Sequence, residues 1–165
     1  MNETIKAMKE RRSIRSFKPD MTAKKDLEQI IEAGLYAASG LGKQSSIIVA
    51  VTRKEMRDRV CAANCKIGGW EEGFDPFYGA PVILIVLADK NWGNRVYDGS
   101  LVMGNLMLAA HALGLGSVWI HRAKEEFETA EWQTFLTDLG IEGEWEGIGH
   151  CAVGYIDGEI PEAAK

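Results

Sequence analysis

The longest unbroken apolar run in the chain extends from Ala80 to Ala88 and limits the possible folds more than any other segment. The run is about half as long as a membrane-spanning helix needs to be. Within it, Val82–Leu87 contains only Val, Ile and Leu, which is typical of a strand buried on both faces. Such a strand needs helices on both sides of its sheet. We therefore predict an α/β or α+β protein with Val82–Leu87 at its centre.

Periodic apolar residues predict helices that alternate with further strands. The predicted helix at Asp98–Leu113 is apolar on most sides, which is typical of a helix in a large core or a subunit interface. A length of 165 residues predicts one domain over positions 1–165. The other predicted helices are Glu3–Arg12, the segment from an N-cap at Thr22 to Leu35, Lys54–Ala63 and Glu126–Leu139, and the other predicted strands are Ile47–Thr52, Ser117–Ile120 and Gly149–Tyr155.

Composition narrows the class of protein and its compartment. The 19 basic and 24 acidic residues give a net charge of −5, which argues against a nucleic-acid-binding protein. The charged start, Met1–Arg12, lacks the apolar core of a signal peptide, and no apolar run is long enough to span a membrane. The odd number of cysteines cannot form a closed set of disulfides. We therefore predict a soluble cytoplasmic protein.

Two common kinds of catalytic site find little support in the sequence. Cys61 and Cys65 share one face of a predicted helix, but the three histidines lie on separate elements, so we predict no metal site. Cysteines on an apolar helix face usually pack as small hydrophobic side chains. The Gly-x-Ser-x-Gly motif of a hydrolase nucleophile is also missing.

Three arginines, Arg11, Arg12 and Arg15, occur within five positions around Ser13. Guanidinium groups can bind a phosphate through paired hydrogen bonds, and the Ser13 hydroxyl could add another. The alternative is a solvated, charged helix end whose arginines pair with nearby glutamates. The residues alone leave both interpretations open.

Two loops carry further candidates. The stretch from Ser39 to Ser46 contains glycines but lacks the order of a phosphate-binding P-loop, and it follows a helix, which argues against a nucleoside triphosphatase. Its small residues and the Gln44 amide could let a flat ligand approach the backbone. The stretch from Gly68 to Tyr78 is long and aromatic, so it is either a functional loop or an irregular segment folded over the core.

Five segments stand out in chain order: Arg11–Phe17, Ala38–Gln44, Gly79–Pro81, the helix at Asp98–Leu113 with Gly114–Ile120 after it, and Gly154–Tyr155. Together they resemble the landmarks of the nitroreductase family of flavoproteins. The first resembles the Arg-x-Ser-x-Arg/Lys signature that opens the family, and the second resembles its Pro-Ser-x-x-Asn-x-Gln-Pro-Trp loop. Gly42 stands in place of the Asn, and Ser45-Ser46 in place of Pro-Trp. Order and spacing agree over essentially the whole chain.

The resemblance implies a fold and an activity. The fold would be α+β (three-layer α/β), with a mostly antiparallel central sheet flanked by helices and a long interface helix. The protein would be a homodimer with FMN at each end of the subunit interface. It would use NADH or NADPH to reduce a nitroaromatic, a quinone or a related small aromatic acceptor by ping-pong hydride transfer through flavin N5, with no obligatory catalytic side chain. The alternatives are a flavin carrier with little turnover, a flavin reductase with another acceptor, and a cofactor-free interaction domain.

The resemblance also implies roles for individual residues around the flavin. Arg11 would contact the FMN phosphate with help from Arg12 and Ser13, and Arg15 would lie near N1 and O2, where reduction places negative charge. A basic C-terminal tail grips the phosphate in many relatives. Here Lys165 alone would serve, or the phosphate would be held more weakly, or the sequence stops short of that tail. Ser39, Gly40, Gly42 and Gln44 would line the flavin from the partner subunit, and Trp119, Ile120 and His121 would lie along it, with a backbone N–H around His121 directed at N5.

The substrate side of the predicted site is less closely specified. Trp70, Phe74, Phe77 and Tyr78 are candidates for a wall that faces the substrate, or alternatively for packing at the dimer interface. His121 and Arg122 replace an acidic-glycine pair of some relatives. This pair could favour anionic substrates or cofactor phosphates, or it could be an ordinary surface pair.

Overall fold

The computed structural model describes residues 1–163, so Lys165, one of the predicted phosphate ligands, lies outside the described residues. The predicted central strand forms as Val82–Asp89, and its first seven residues are fully buried. The helices are α1 (Glu3–Glu10), α2 (Lys24–Leu35), α3 (Lys54–Gly68), α4 (Arg95–Ala112), α5 (Ala123–Phe127) and α6 (Ala130–Asp138), and the strands are β1 (Ser46–Val51), β2 (Val82–Asp89), β3 (Gly116–Ile120) and β4 (Trp145–Gly154).

The sheet has the order β1-β2-β4-β3, and each neighbouring pair is antiparallel. Alternate residues of β2 therefore enter two different cores. Ile83, Ile85 and Leu87 pack with α3, α5 and α6 on one face. Val82, Leu84 and Val86 pack with α2 and α4 on the other face. The predicted α+β class, with helices on both faces of an antiparallel sheet, is confirmed.

Two local predictions are wrong. Thr22 does not cap α2: the helix follows Ala23 without a side-chain cap, and the buried Thr22 hydroxyl has no hydrogen-bond partner among residues 1–163. The single helix predicted over Glu126–Leu139 is two helices, because the chain is extended at Thr129. The Thr129 hydroxyl donates to the Glu126 carbonyl at the break, which lets Phe127 and Trp132 both point into the core.

Other boundaries shift by a few residues. The third helix continues five residues past its predicted end at Ala63, to Gly68, and places both Cys61 and Cys65 on its buried face. The strand predicted as buried over Ile47–Thr52 is an edge strand, and most of its residues are only half-buried. Among the helices of residues 1–163, none combines the length and the apolar character that crossing a membrane requires.

Candidate functional site

The arginine segment lies along the open edge of the sheet. Beyond α1 the chain is extended, Ser13 pairs with Ser117 in a parallel bridge, and the Ile14 N–H donates to the Ser117 carbonyl at 2.9 Å. Gly116 makes this approach possible, since a Cβ there would meet Ile14 at 3.0 Å. Ile14 is buried, so its two neighbours in the sequence point away from the core. The predicted phosphate ligands are thus fixed beside β3.

Two of these arginines hold buried nitrogen atoms that nothing satisfies. Arg12 donates through Nη1 to the carbonyls of Lys9 and Arg11 at 2.7 Å each. Its Nε and the Nη1 of Arg11 are buried without a hydrogen-bond partner over the described positions. A buried unpaired donor costs about 1–3 kcal/mol, and more when it is charged. The arrangement therefore favours an anionic ligand at this position.

An open cavity of about 230 Å³ follows the same edge. Because the Ser117 carbonyl faces outward, the backbone N–H and C=O of Trp119, two residues further along β3, face outward as well. The Trp119 side chain lies over Gly149, where a Cβ would come within 2.8 Å of the indole. The cavity is lined by Arg15, Trp70, Phe74, Pro76, Tyr78, Val118, Trp119, Ile120, His121 and Arg122. It therefore brings together Arg15, the predicted strand and three of the four predicted wall residues.

The fourth predicted wall residue, Phe77, does not line the cavity. Its ring is fully buried and packs edge-on against His150, with 5.3 Å between the ring centroids. The prediction that it faces substrate is therefore wrong. Tyr78 and Gly79 both have positive φ, so the chain turns sharply after Phe77 and returns Tyr78 to the surface.

Asp75 anchors the aromatic loop. Its carboxylate accepts from the backbone N–H groups of Phe77 and Gly79 at 2.8 and 2.9 Å and from Arg57 Nη2 at 2.6 Å. Burial alone would raise the pKa of Asp75, but the Arg57 guanidinium and the backbone donors outweigh it and lower the pKa below 3.8. Since Arg57 also donates to the Ala80 carbonyl, one partly buried cation ties α3 to both ends of the turn that leads into β2.

Asn64, which the sequence did not single out, holds the far end of β3. Its fully buried side chain donates to the His121 carbonyl at 2.9 Å and accepts from Arg122 Nε at 3.1 Å. The Arg122 guanidinium in turn lies over the Trp70 ring, 4.5 Å from its centroid. An asparagine in the middle of an apolar helix face is the only sequence signal that could have found this link. The sequence alone does not reveal which residues Asn64 joins.

A buried pair of polar side chains, His150 and Glu126, contacts the end of β3. His150 Nδ1 lies 3.2 Å from the Ile120 carbonyl, which can only accept, so Nδ1 carries a proton. Nε2 of the same ring lies 3.0 Å from the Glu126 carboxylate, and both side chains are fully buried. The pair joins β4, α5 and the end of β3.

The three cysteines are free thiols, and all are buried. Burial, reinforced by Asp75, raises the pKa of Cys61 to about 12. Burial also raises the pKa of Cys151 to about 12, although the positive charge of Arg11 acts in the opposite direction. Thiols with such pKa values are poor nucleophiles at neutral pH. Within residues 1–163, no cluster of three His, Cys, Asp or Glu side chains is placed to hold a metal ion.

The Ser39–Gln44 loop lies elsewhere on the chain and contributes nothing to the cavity beside β3. The buried Asp98 carboxylate holds it by accepting from the Gly40 N–H at 3.0 Å, and it also accepts from the Trp92 indole at 2.7 Å. The Ser39 hydroxyl accepts from the Gln44 N–H at 3.0 Å. Within one chain, this loop and the arginine segment form two separate surfaces.

With this geometry in view, comparison with known proteins identifies the family. The sequence matches the nitroreductase family over residues 8–155. The chain belongs to this family. Its fold is similar to that of the FMN-bound nitroreductase from Bacteroides fragilis, at a TM-score of 0.87 and 28% identity, over 100% of this chain and 95% of that one.

Two further relatives support the same family assignment. The FMN-bound nitroreductase from Desulfitobacterium hafniense has a TM-score of 0.87 at 26% identity, also over 100% of this chain and 95% of that one. The FMN reductase (NAD(P)H) of Bacillus subtilis is 29% identical over 140 residues, which cover 72% of this chain and 53% of that protein. This nitroreductase-family chain thus spans about half the length of that curated relative. The similarity to the two FMN-bound structures confirms the predicted nitroreductase-like fold.

We expect Asp75→Asn to destabilise the protein by about 1–3 kcal/mol at neutral pH, because the backbone donors and Arg57 lose a charged acceptor. The folded pKa is below the ordinary 3.8, so the ionised carboxylate stabilises the fold at all pH values above 3.8. This contribution disappears as the pH falls from 3.8 through the lowered pKa. Urea unfolding at neutral pH and at about pH 3 measures the difference. Glu72→Gln, on the same loop, is the control, and equal stability of Asp75→Asn and wild type at neutral pH would contradict the assignment.

Proposed function

We propose that this nitroreductase-family chain is an FMN-dependent oxidoreductase that takes electrons from NADH or NADPH and passes them to a small aromatic acceptor such as a nitroaromatic or a quinone. The observation that carries the proposal is the pair of unsatisfied, buried guanidinium nitrogens on Arg11 and Arg12, beside an edge strand with an adjoining cavity. The FMN-bound relatives of the same fold support it.

The residues present fit FMN. Its phosphate would accept charge-assisted hydrogen bonds from Arg11 and Arg12, and the Ser13 hydroxyl would add a neutral one. Arg15 lines the cavity beside them, and it makes no hydrogen bond or ion pair within residues 1–163. Its charge would stabilise the negative charge that gathers on the ring system upon reduction. The outward-facing backbone of Trp119 would lie along the flavin ring. The Ile120–His121 segment that follows would lie along it as well.

FMN held there would supply two-electron redox chemistry between NADH or NADPH and the acceptor, in two half-reactions. The chain's own part is to hold the reactants and to exclude water. Trp70, Phe74 and Tyr78 would form the apolar side of the place that donor and acceptor occupy in turn. Since the electrons pass through the cofactor, no side chain of the chain is required as acid or base.

We propose that the active unit is a homodimer. Helix α4 exposes Tyr97 and Leu101 at 73% and 51%, and Leu41, in the loop that Asp98 holds against the same helix, is 88% exposed. Large apolar side chains exposed on one helix and on the loop bound to it are typical of a subunit interface. Pairing through α4 would bring Ser39, Gly40, Gly42 and Gln44 of one subunit toward the arginine segment of the other, which the fold of one chain leaves apart.

The direct test is purification followed by anaerobic reduction. We expect a yellow protein with bound FMN whose absorbance bleaches on addition of NADH or NADPH and returns when a nitroaromatic or a quinone is added. A colourless protein that does not bind added FMN would overturn the proposal. A yellow protein that neither donor bleaches would instead support a flavin carrier.

Substitutions in the arginine segment should separate cofactor binding from cofactor chemistry. We expect Arg11→Ala to weaken FMN binding by about tenfold to a hundredfold, the effect of one lost hydrogen bond to a charged group. Arg15→Ala should instead lower the flavin reduction potential by about 30 mV, which corresponds to ~1.4 kcal/mol for a two-electron couple. Fluorescence titration and spectroelectrochemistry measure the two effects, with the exposed Arg53→Ala as the control. Unchanged affinity and potential in both variants would refute these roles.

The dimer can be tested on α4. Leu101→Asp should convert a particle of twice 18.2 kDa into one of 18.2 kDa and should lower its FMN content, because a charge cannot be buried at an apolar interface. Light scattering coupled to size-exclusion chromatography measures the mass. Leu139→Asp is the matched control, since Leu139 is 53% exposed but follows α6 on the other side of the sheet. A wild-type monomer that retains FMN would overturn the dimer.

A further inference from the structure

Two arginines, Arg15 and Arg122, line the cavity beside β3, and no carboxylate of residues 1–163 lines it. Arg15, His121 and Arg122 all line it, together with aromatic and aliphatic residues. Two acidic residues of the neighbouring loop, Glu72 and Asp75, line instead an adjoining cavity between that loop and α3. The chain as a whole carries a net charge of −5, so the positive lining of this cavity is local.

Arg122 differs from an ordinary surface arginine because two contacts hold its guanidinium. One face lies over the Trp70 ring at 4.5 Å, and Nε donates to the buried Asn64 at 3.1 Å. Cation–π stacking and a bond to a buried amide reduce the rotamer freedom that an exposed arginine would have to lose on binding a ligand.

The terminal nitrogens of Arg122 remain free to bind. Among the described residues, Arg122 forms a hydrogen bond only through Nε and has no carboxylate partner. Its backbone has φ +76°, a conformation that costs a residue with a Cβ energy and that glycine adopts freely. The position therefore carries an arginine at some local cost, with both terminal nitrogens available at a cavity.

We propose that Arg122 binds the carboxylate of an aromatic electron acceptor, whose ring packs against the apolar wall formed by Phe74, Pro76 and Tyr78. A planar guanidinium matches a carboxylate with two parallel hydrogen bonds. Trp70 and Asn64 act as positioning residues for that guanidinium. The inference rests on the proposed reductase function, since it names the class of acceptor: aromatic carboxylates in preference to their uncharged analogues.

Binding of unreactive analogues tests the site without turnover. Calorimetry on the purified protein with its bound flavin, and with no electron donor, compares benzoate with benzamide, which has the same shape but no charge. We expect benzoate to bind about tenfold more tightly, the effect of one exposed charge-assisted interaction. Arg122→Asn should abolish the preference, since asparagine tolerates positive φ and removes the guanidinium. Trp70→Leu should reduce the preference without removing the charge.

The control is a second arginine stacked on a tryptophan. Arg59 lies 5.0 Å over the Trp132 ring and binds Glu131 at 3.0 Å, outside the cavity. Arg59→Gln changes the net charge by the same amount as Arg122→Asn and should keep the benzoate preference. Equal binding of benzoate and benzamide by the wild type, or the same loss of preference in both variants, would overturn the proposal.

Turnover then assigns the bound anion to the acceptor. The ratio of kcat/KM for 4-nitrobenzoate to that for 4-nitrobenzamide should fall about tenfold in Arg122→Asn. If only the ratio for NADPH to NADH changes, Arg122 recognises the donor phosphate and the proposal is wrong. The anion site and the reductase function have different signatures in these measurements. Normal reduction of both nitro compounds without a benzoate preference would refute the anion site alone. A benzoate preference without any reduction would refute the reductase function and, with it, the acceptor role.

Discussion

The burial of β2 on both faces is the constraint from which the remaining architecture follows. Seven consecutive residues without exposure need apolar cover on each side and a paired strand at each edge. Helices α2 and α4 cover one face of β2, and α3, α5 and α6 cover the other. Strands β1 and β4 pair with β2 along its two sides. The fourth strand, β3, is therefore left at the outside of the sheet with one row of backbone groups open. The candidate site lies along that row.

An acidic chain can present a positive site because the fold gathers cations from distant parts of the sequence. The first arginines reach β3 through the bridge between Ser13 and Ser117, which needs Gly116 to let Ile14 approach. Arg122 arrives from the other end of the strand and is held by Asn64 and Trp70. The charges close to the cavity matter more than the net charge of the chain, because screening by salt removes most of the effect of remote surface carboxylates.

Helix α4 connects the core to the surface that the proposed dimer would bury. Its inner face contributes Met103 and Leu106 to the core, while Tyr97 and Leu101 remain exposed. The buried Asp98 fixes the Ser39–Gln44 loop at the start of the same helix. The loop whose small residues suit a flat ligand is thus mounted on the proposed interface and away from the arginines of its own chain. Because of this separation, the proposed site would need a second subunit to bring the loop and the arginines together.

The sequence by itself determined the elements whose signal is local. The apolar run of β2 predicted the central strand, and the all-round apolar pattern predicted α4. The arginines around Ser13 left both an anion site and a solvated helix end open. Tertiary structure alone decided contacts between residues far apart in the chain, where no periodicity operates. It placed Phe77 in the core beside His150, buried Thr22 without a capping hydrogen bond to α2, and divided α5 from α6 so that Phe127 and Trp132 are both buried. It also joined Asn64, Trp70 and Arg122 into one support, because only packing of α3 against the end of β3 brings these three side chains together.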